Sequence, residues 1–186
     1  MIFLFTEIST QTRKIIKIKK QKVKNIVKIT KDWKIYLFCI FLCEFVGIVS
    51  AFFTREDVKI YGATIIKPLL SPPSLIFPIV WTILYALMGI SIAKIYLSAP
   101  SKEKTTAIML FSTQLFLNFC WSFIFFSFQV FGIACFWLLA LLISVIFMII
   151  YFRKIDKFSG NLQIPYLIWL AFAFYLNISV YFLNRI

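Results

Sequence analysis

Ile164-Pro-Tyr-Leu-Ile-Trp-Leu-Ala-Phe-Ala-Phe-Tyr-Leu-Asn-Ile-Ser-Val-Tyr-Phe-Leu183 contains no charged residue. Wound as a helix at about 1.5 Å per residue, it is as long as the bilayer hydrocarbon core is thick, about 30 Å. Within it Pro165, Trp169, Ala173 and Asn177 recur every four residues. On a helix they form one slowly drifting stripe. Leu, Ile and Val would satisfy a segment that only had to sit in lipid. A helix-start proline, an aromatic plane, a small residue and an amide on one stripe point instead to contact with something specific.

Four comparable apolar runs precede it: Ile35–Phe53, Leu75–Leu97, Ala107–Phe128 and Gly132–Phe152. The whole chain of 186 residues is 62% hydrophobic and holds 23 Phe, a composition far from that of a soluble domain. Lipid-exposed backbone must satisfy its hydrogen bonds within its own segment, which excludes strands for such runs. The expected fold is an all-α membrane protein, a bundle of five transmembrane helices over residues 35–186. Residues 1–34 form a basic N-terminal extension. The connections are short except Thr54–Ser74, which holds Tyr61, Lys67, Pro68, Pro72 and Pro73. Long loops of this kind are usually functional or disordered, and two prolines directly before a span fix its entry angle.

Charge sets the expected orientation. With five spans, fifteen Lys and Arg share the side of the N-terminus, and four (Arg55, Lys59, Lys67 and Arg185) lie opposite. The positive-inside rule then puts the N-terminus in the cytoplasm. Lys94 lies near a span end and can snorkel. In the basic run, Ile15, Ile16, Ile18, Val23, Ile26, Val27 and Ile29 fall on about half of a helix circumference, with most lysines opposite. That pattern fits an interfacial helix on anionic headgroups. A disordered lysine-rich tail is the alternative, and charge alone supports no nucleic-acid partner. Heavy Lys and Ile usage with little Arg at the N-terminus makes a poor mitochondrial transit peptide and favours a bacterial plasma membrane.

Several chemistries are excluded. There is no histidine to serve as general base, metal ligand or axial haem ligand. Cys39, Cys43, Cys120 and Cys135 all lie within apolar runs and read as small buried hydrophobes. No Gly-rich phosphate loop, nucleophile elbow or carboxylate pair appears. What remains is a short set of polar groups inside spans. Glu44 lies mid-span, where a carboxylate is costly unless neutral, paired or facing water. It is either a proton-linked or ligand-facing group, in which case a small-solute transporter is one reading, or a protonated residue in a helix contact. Gln114 and Asn118 share a face of the third span and Trp121 follows. They serve either interhelical hydrogen bonding or a pocket in which Asn118 donates to a bound carbonyl or carboxylate. Trp81 and Tyr85 are one turn apart on the second span. Trp33 and Trp137 read as aromatic-belt anchors. Faces carrying Trp81, Trp121 and Trp169 in one bundle would wall a cavity suited to a large, flat, mostly apolar ligand.

Three blocks carry a family resemblance. They are Lys67-Pro68…Pro72-Pro73…Phe77-Pro78…Trp81…Tyr85…Met88-Gly89; Gln114…Asn118…Trp121 with Phe125-Phe126; and Pro165-Tyr166…Trp169…Ala173…Leu176-Asn177. Their order and spacing resemble the TspO/MBR family, the translocator, peripheral benzodiazepine receptor or tryptophan-rich sensory proteins. The resemblance covers roughly Ile35 to the C-terminus. It implies a five-helix bundle, commonly a homodimer, whose pocket is closed on one side by the first long loop. It also implies binding of tetrapyrroles such as protoporphyrin IX, of sterols in animals and of benzodiazepine-site ligands. The pocket walls so implied are Trp81, Asn118, Trp121, Trp169, Ala173 and Leu176, with Pro72 and Pro73 in the lid loop. A porphyrin would be a ligand, not a cofactor, and no metal site and no catalytic residue are expected. Light-dependent porphyrin breakdown at Trp81 and Trp121 is the enzymatic alternative that the resemblance offers. Leu70, Leu75 and Phe119 stand where many members have tryptophan. Ile178 replaces the tyrosine of the animal sterol stretch, although Leu176, Tyr181 and Arg185 fit a loose cholesterol pattern.

Overall fold

A computed structural model describes the backbone of residues 2–184 and the side chains of residues 32–184. The chain divides into two units, Met1–Ile35 and Tyr36–Ile186. The face pattern read over residues 15–29, and Arg185, lie outside the described side chains.

The elements are α1 (Ile2–Thr64), α2 (Ile76–Leu97), α3 (Lys102–Ser122), a π-helical turn (Phe123–Ser127), α4 (Phe131–Ile155), α5 (Lys157–Asn161) and α6 (Ile164–Leu183), with no strand among the described residues. Five helical segments are long and apolar enough to cross a membrane: Asp32–Thr64, Ile76–Leu97, Lys102–Ser127, Phe131–Ile155 and Lys157–Leu183. The protein is an all-α, multi-pass integral membrane protein. Its exposed surface is accordingly apolar, with Phe41, Ile48, Ile79, Phe116, Phe136 and Ile168 turned outward, where lipid tails replace water.

The helix ends follow from local chemistry. The Ser101 hydroxyl caps α3 by accepting from Lys104 N at 3.1 Å. Pro165 lies in the first turn of α6, where its missing N–H is not needed. The turn between the third and fourth spans takes its left-handed residue at Gln129 (φ 53°). Gly132 instead makes room for the Tyr181 ring. The long first connection differs from the expected loop, because α1 continues through residues 54–64 and only 65–75 is irregular. Glu56 and Lys59 pair at 3.1 Å on this extension, one turn apart.

α1 and α2 meet through glycines. A Cβ on Gly89 would overlap the backbone of Ile40, and one on Gly47 would overlap the Tyr85 ring. Small residues permit this close approach where no hydrophobic force drives helices together. The α3–α4–α6 side is densely filled by Phe111, Leu138, Val145, Phe152 and Leu170, all buried. At one end of the bundle Lys94 on α2 pairs with Asp156 at 3.0 Å, rather than snorkelling free. Its ammonium also lies 4.5 Å from the centre of the Phe158 ring. Asp156 in turn caps α5 by accepting from Ser159 N at 2.8 Å, and Ser91 Oγ donates to the Ser159 carbonyl.

Candidate functional site

The core of the Tyr36–Ile186 unit is organised around Asn118. Tyr85 Oη donates to Asn118 Oδ1 at 3.2 Å, and Asn118 Nδ2 donates to Tyr166 Oη at 2.8 Å. Tyr166 passes its own proton to Gln114 Oε1 at 3.0 Å, leaving the Gln114 amide 4.0 Å from Met88 Sδ. Tyr85, Gln114, Asn118 and Tyr166 are all buried. The sequence explains the arrangement. Gln114 and Asn118 are one turn apart on α3, so both face the same Tyr166 on α6. Tyr85 reaches them because Gly47 leaves space for its ring. Gln114 and Asn118 thus make the interhelical bonds read in the sequence, and the two phenols complete a neutral chain across α2, α3 and α6.

Trp81 covers this chain. Its ring centre lies 5.5 Å from Tyr85 and 6.2 Å edge-on from Tyr166. One turn beyond Asn118, Trp121 Nε1 donates to Asn177 Oδ1 at 3.2 Å. Asn177 Nδ2 donates to the Phe131 carbonyl at 3.0 Å and approaches Cys135 Sγ at 3.1 Å. Trp121 also stacks on Phe125 at 5.1 Å. Phe125 lies in the π-helical turn, where Phe128 N bonds to Phe123 O five residues back. The extra residue belongs to a segment that brings Phe125 and Phe126 around Tyr61 of α1, each at 5.3 Å. Such π-bulges are frequent at functional sites.

The remaining residues expected as pocket walls are placed differently. Trp169 packs edge-on against Phe77 at 5.8 Å and near Phe172 at 5.6 Å. It lines a groove of about 640 Å³ on the α2–α6 seam with Val80, Ile83, Pro165 and Ile168. Ala173 is half-buried and Leu176 is buried. The stripe read on α6 therefore turns as it descends: Trp169 meets α2, whereas Asn177 meets α3 and α4. Pro72 is half-buried and Pro73 exposed. Pro73 contributes the carbonyl that accepts from Ile76 N at 2.9 Å and starts α2.

The first connection, expected to act as a lid, is tied down by groups the sequence did not single out. Ile66 N donates to Asn184 Oδ1, and Asn184 Nδ2 returns a bond to Ile66 O, both at 3.0 Å. Ser127 Oγ donates to Asp57 Oδ2 and so joins the α1 extension to the π-helical turn. A further tie runs from Gln163 Nε2 to the Leu87 carbonyl at 3.3 Å. Trp137, read as a belt anchor, donates to the Leu117 carbonyl at 2.8 Å and is an α3–α4 tie. Trp33 is exposed. Glu44 is half-buried and, among the described residues, has no hydrogen bond or ion pair. No group of three potential metal ligands occurs among the described residues.

Such a site defines a class: a five-span helical membrane protein with a central polar network of amides and phenols, framed by tryptophan. The TspO/MBR family profile matches residues 39–183. The chain is 37% identical to tryptophan-rich protein TspO of Chlorobaculum tepidum over 147 residues, 78% of this chain and 93% of the relative. It is 38% identical to tryptophan-rich protein TspO of Archaeoglobus fulgidus, over 75% of this chain and 90% of the relative. It is 31% identical to the translocator protein of Bos taurus, over 75% and 84%. This chain belongs to the TspO/MBR family.

Proposed function

We propose that this protein binds tetrapyrroles or similar flat, apolar molecules within the membrane, as a sensor or carrier. The observation that carries the reading is the neutral Tyr85–Asn118–Tyr166–Gln114 chain lying beneath Trp81. Aromatic planes supply stacking surface for a macrocycle. Phenols and amides that now satisfy one another can exchange a partner for a ligand carbonyl or a protonated carboxyl without burying an unpaired charge. Pro72, Pro73 and the Asn184-tethered loop would close the site, and Trp121, Trp169, Ala173 and Leu176 would complete its walls. Membership of the family and the name translocator protein carried by a relative are consistent with carriage. Porphyrin is a ligand in this reading, not a cofactor. The preferred setting is a bacterial plasma membrane, supported by the Lys- and Ile-rich, Arg-poor N-terminal segment, with a cytoplasmic N-terminus supported by the charge asymmetry and a homodimer supported by family resemblance.

Titration of the purified protein with protoporphyrin IX in the dark should quench tryptophan fluorescence saturably. Ala173→Leu should weaken binding about tenfold, the equivalent of roughly 1.4 kcal/mol, with helix content unchanged. An unaltered affinity would mean that the α6 stripe only packs helices. Absence of porphyrin binding by the unaltered protein would retire the whole reading. Light-driven loss of the Soret band that vanishes in Trp81→Phe or Trp121→Phe would assign an enzyme instead.

A further inference from the structure

On a different face of α3 from Asn118, a groove of about 540 Å³ runs between α1, α2 and α3. Phe38, Leu42, Ile92, Ile108, Leu115 and Phe119 are among its walls. Its volume lies within the roughly 300–1,000 Å³ typical of small-molecule pockets. From Ile108 to Phe119 it extends about 16 Å along α3 at 1.5 Å per residue. One leaflet's share of a hydrocarbon core of roughly 30 Å is about the same length. An apolar slot one leaflet deep and open to lipid has the dimensions of a single acyl chain.

The mouth of the slot is not apolar. Tyr96, which lines it at the end of α2, is approached by the ammonium of Lys104. That group lies 5.4 Å from the centre of the Tyr96 ring. It donates to the Tyr96 carbonyl at 2.6 Å and the Ser98 carbonyl at 2.9 Å. An ammonium has three N–H groups, so one donor remains and the two carbonyls hold the charge in place. Lys104 is half-buried, whereas neighbouring Lys102 and the carboxylate Glu103 are exposed. The local balance at the mouth is positive.

We propose that this groove holds one acyl chain of an anionic glycerophospholipid whose phosphate rests on the Lys104 ammonium beside Tyr96. The phosphate gains a charge-assisted hydrogen bond from a donor already fixed in position. A choline headgroup would bring its own cation toward Lys104, so phosphatidylcholine is disfavoured although its chains fit equally well. The site is independent of the Asn118 network and of any porphyrin.

The full chain, reconstituted in equal phosphatidylglycerol and phosphatidylcholine and then extracted in mild detergent, should retain phosphatidylglycerol in native mass spectra. The expected enrichment is about fivefold, which is roughly 1 kcal/mol for one lysine near a lipid phosphate. Lys104→Gln should abolish the preference and Lys104→Arg should keep it. Lys20→Gln, which removes the same charge from the basic N-terminal segment, should leave it unchanged. Leu115→Trp should fill the slot and reduce retention of both lipids. Equal retention of the two lipids by the unaltered protein would overturn the proposal, as would a preference that survives Lys104→Gln or is lost in Lys20→Gln.

Discussion

The two flanks of the bundle are held together by different forces. α3, α4 and α6 are joined by buried and half-buried side-chain bonds: Asn118 to Tyr166, Trp121 to Asn177, Asn177 to Phe131 and Trp137 to Leu117. α1 shares no such bond with α2, among the hydrogen bonds of the described residues. It leans on Gly89 and accommodates Tyr85 at Gly47, and its far end is clasped by the Tyr61 aromatic cluster. The first span is also the least buried of the five, with 11% of its most apolar stretch covered against 22–39% in the others. Directional bonds in hydrocarbon fix register, because a slipped helix would strand their partners. Glycine contacts are van der Waals only and reward closeness rather than register. The first flank thus has the means to hold a site rigidly, and the second the means to move against it.

The sharpest way to break this division is Gly89→Leu, which drives a side chain into the Ile40 backbone. It should cost about 3 kcal/mol, the upper part of the usual overpacking range, read as a lowered midpoint in thermal or SDS unfolding. A midpoint within error of the unaltered protein would mean that α1 is not seated on α2. Asn118→Leu tests the other flank. It deprives the Tyr85 hydroxyl of its acceptor and the Tyr166 hydroxyl of a donor, and should cost about 2 kcal/mol for two interhelical bonds. The two substitutions should be additive if the flanks are independent, and less than additive if Tyr85, which touches both, couples them.

A smaller effect should come from the polar tie at the end of the bundle. The bond from the Ser159 hydroxyl, opposed in part by burial and helped by Lys94 and the Ser159 N–H, holds the Asp156 carboxyl below its ordinary value of 3.8. A folded-state value below the unfolded one stabilises the protein above the ordinary carboxylate value. That contribution is lost as pH falls below 3.8 through the folded value. Asp156→Asn should therefore lower stability at neutral pH and flatten the acid limb, the two proteins converging as pH falls below the folded value. An acid limb identical to that of the unaltered protein would remove Asp156 from the account.

Much of this protein was legible before any coordinates. Asn118 and Gln114 stood out because amides are costly in lipid unless given partners, and Trp81 and Trp121 because each sits at helical spacing from another distinctive side chain. Their partners were less legible. Tyr166 reads as one aromatic among many, and only its burial against Gln114 and Asn118 makes it the hub of the network. The Ile66–Asn184 and Asp57–Ser127 ties join residues far apart in the chain and carry no local signature. The helix over residues 54–64 was hidden because its polar residues resemble those of a loop.

Sequence by itself determined the five spans and the helical class, since a bilayer acts as a solvent with fixed thickness and no hydrogen bonds to offer. Tertiary structure decided where each stripe points. A four-residue repeat drifts by about 40° per step on a helix of 3.6 residues per turn, so Trp169 and Asn177 differ in direction by about 80°. That rotation sends the indole to the α2 seam and the amide to the heart of the bundle. No periodicity in α6 alone could say which neighbours would be waiting there.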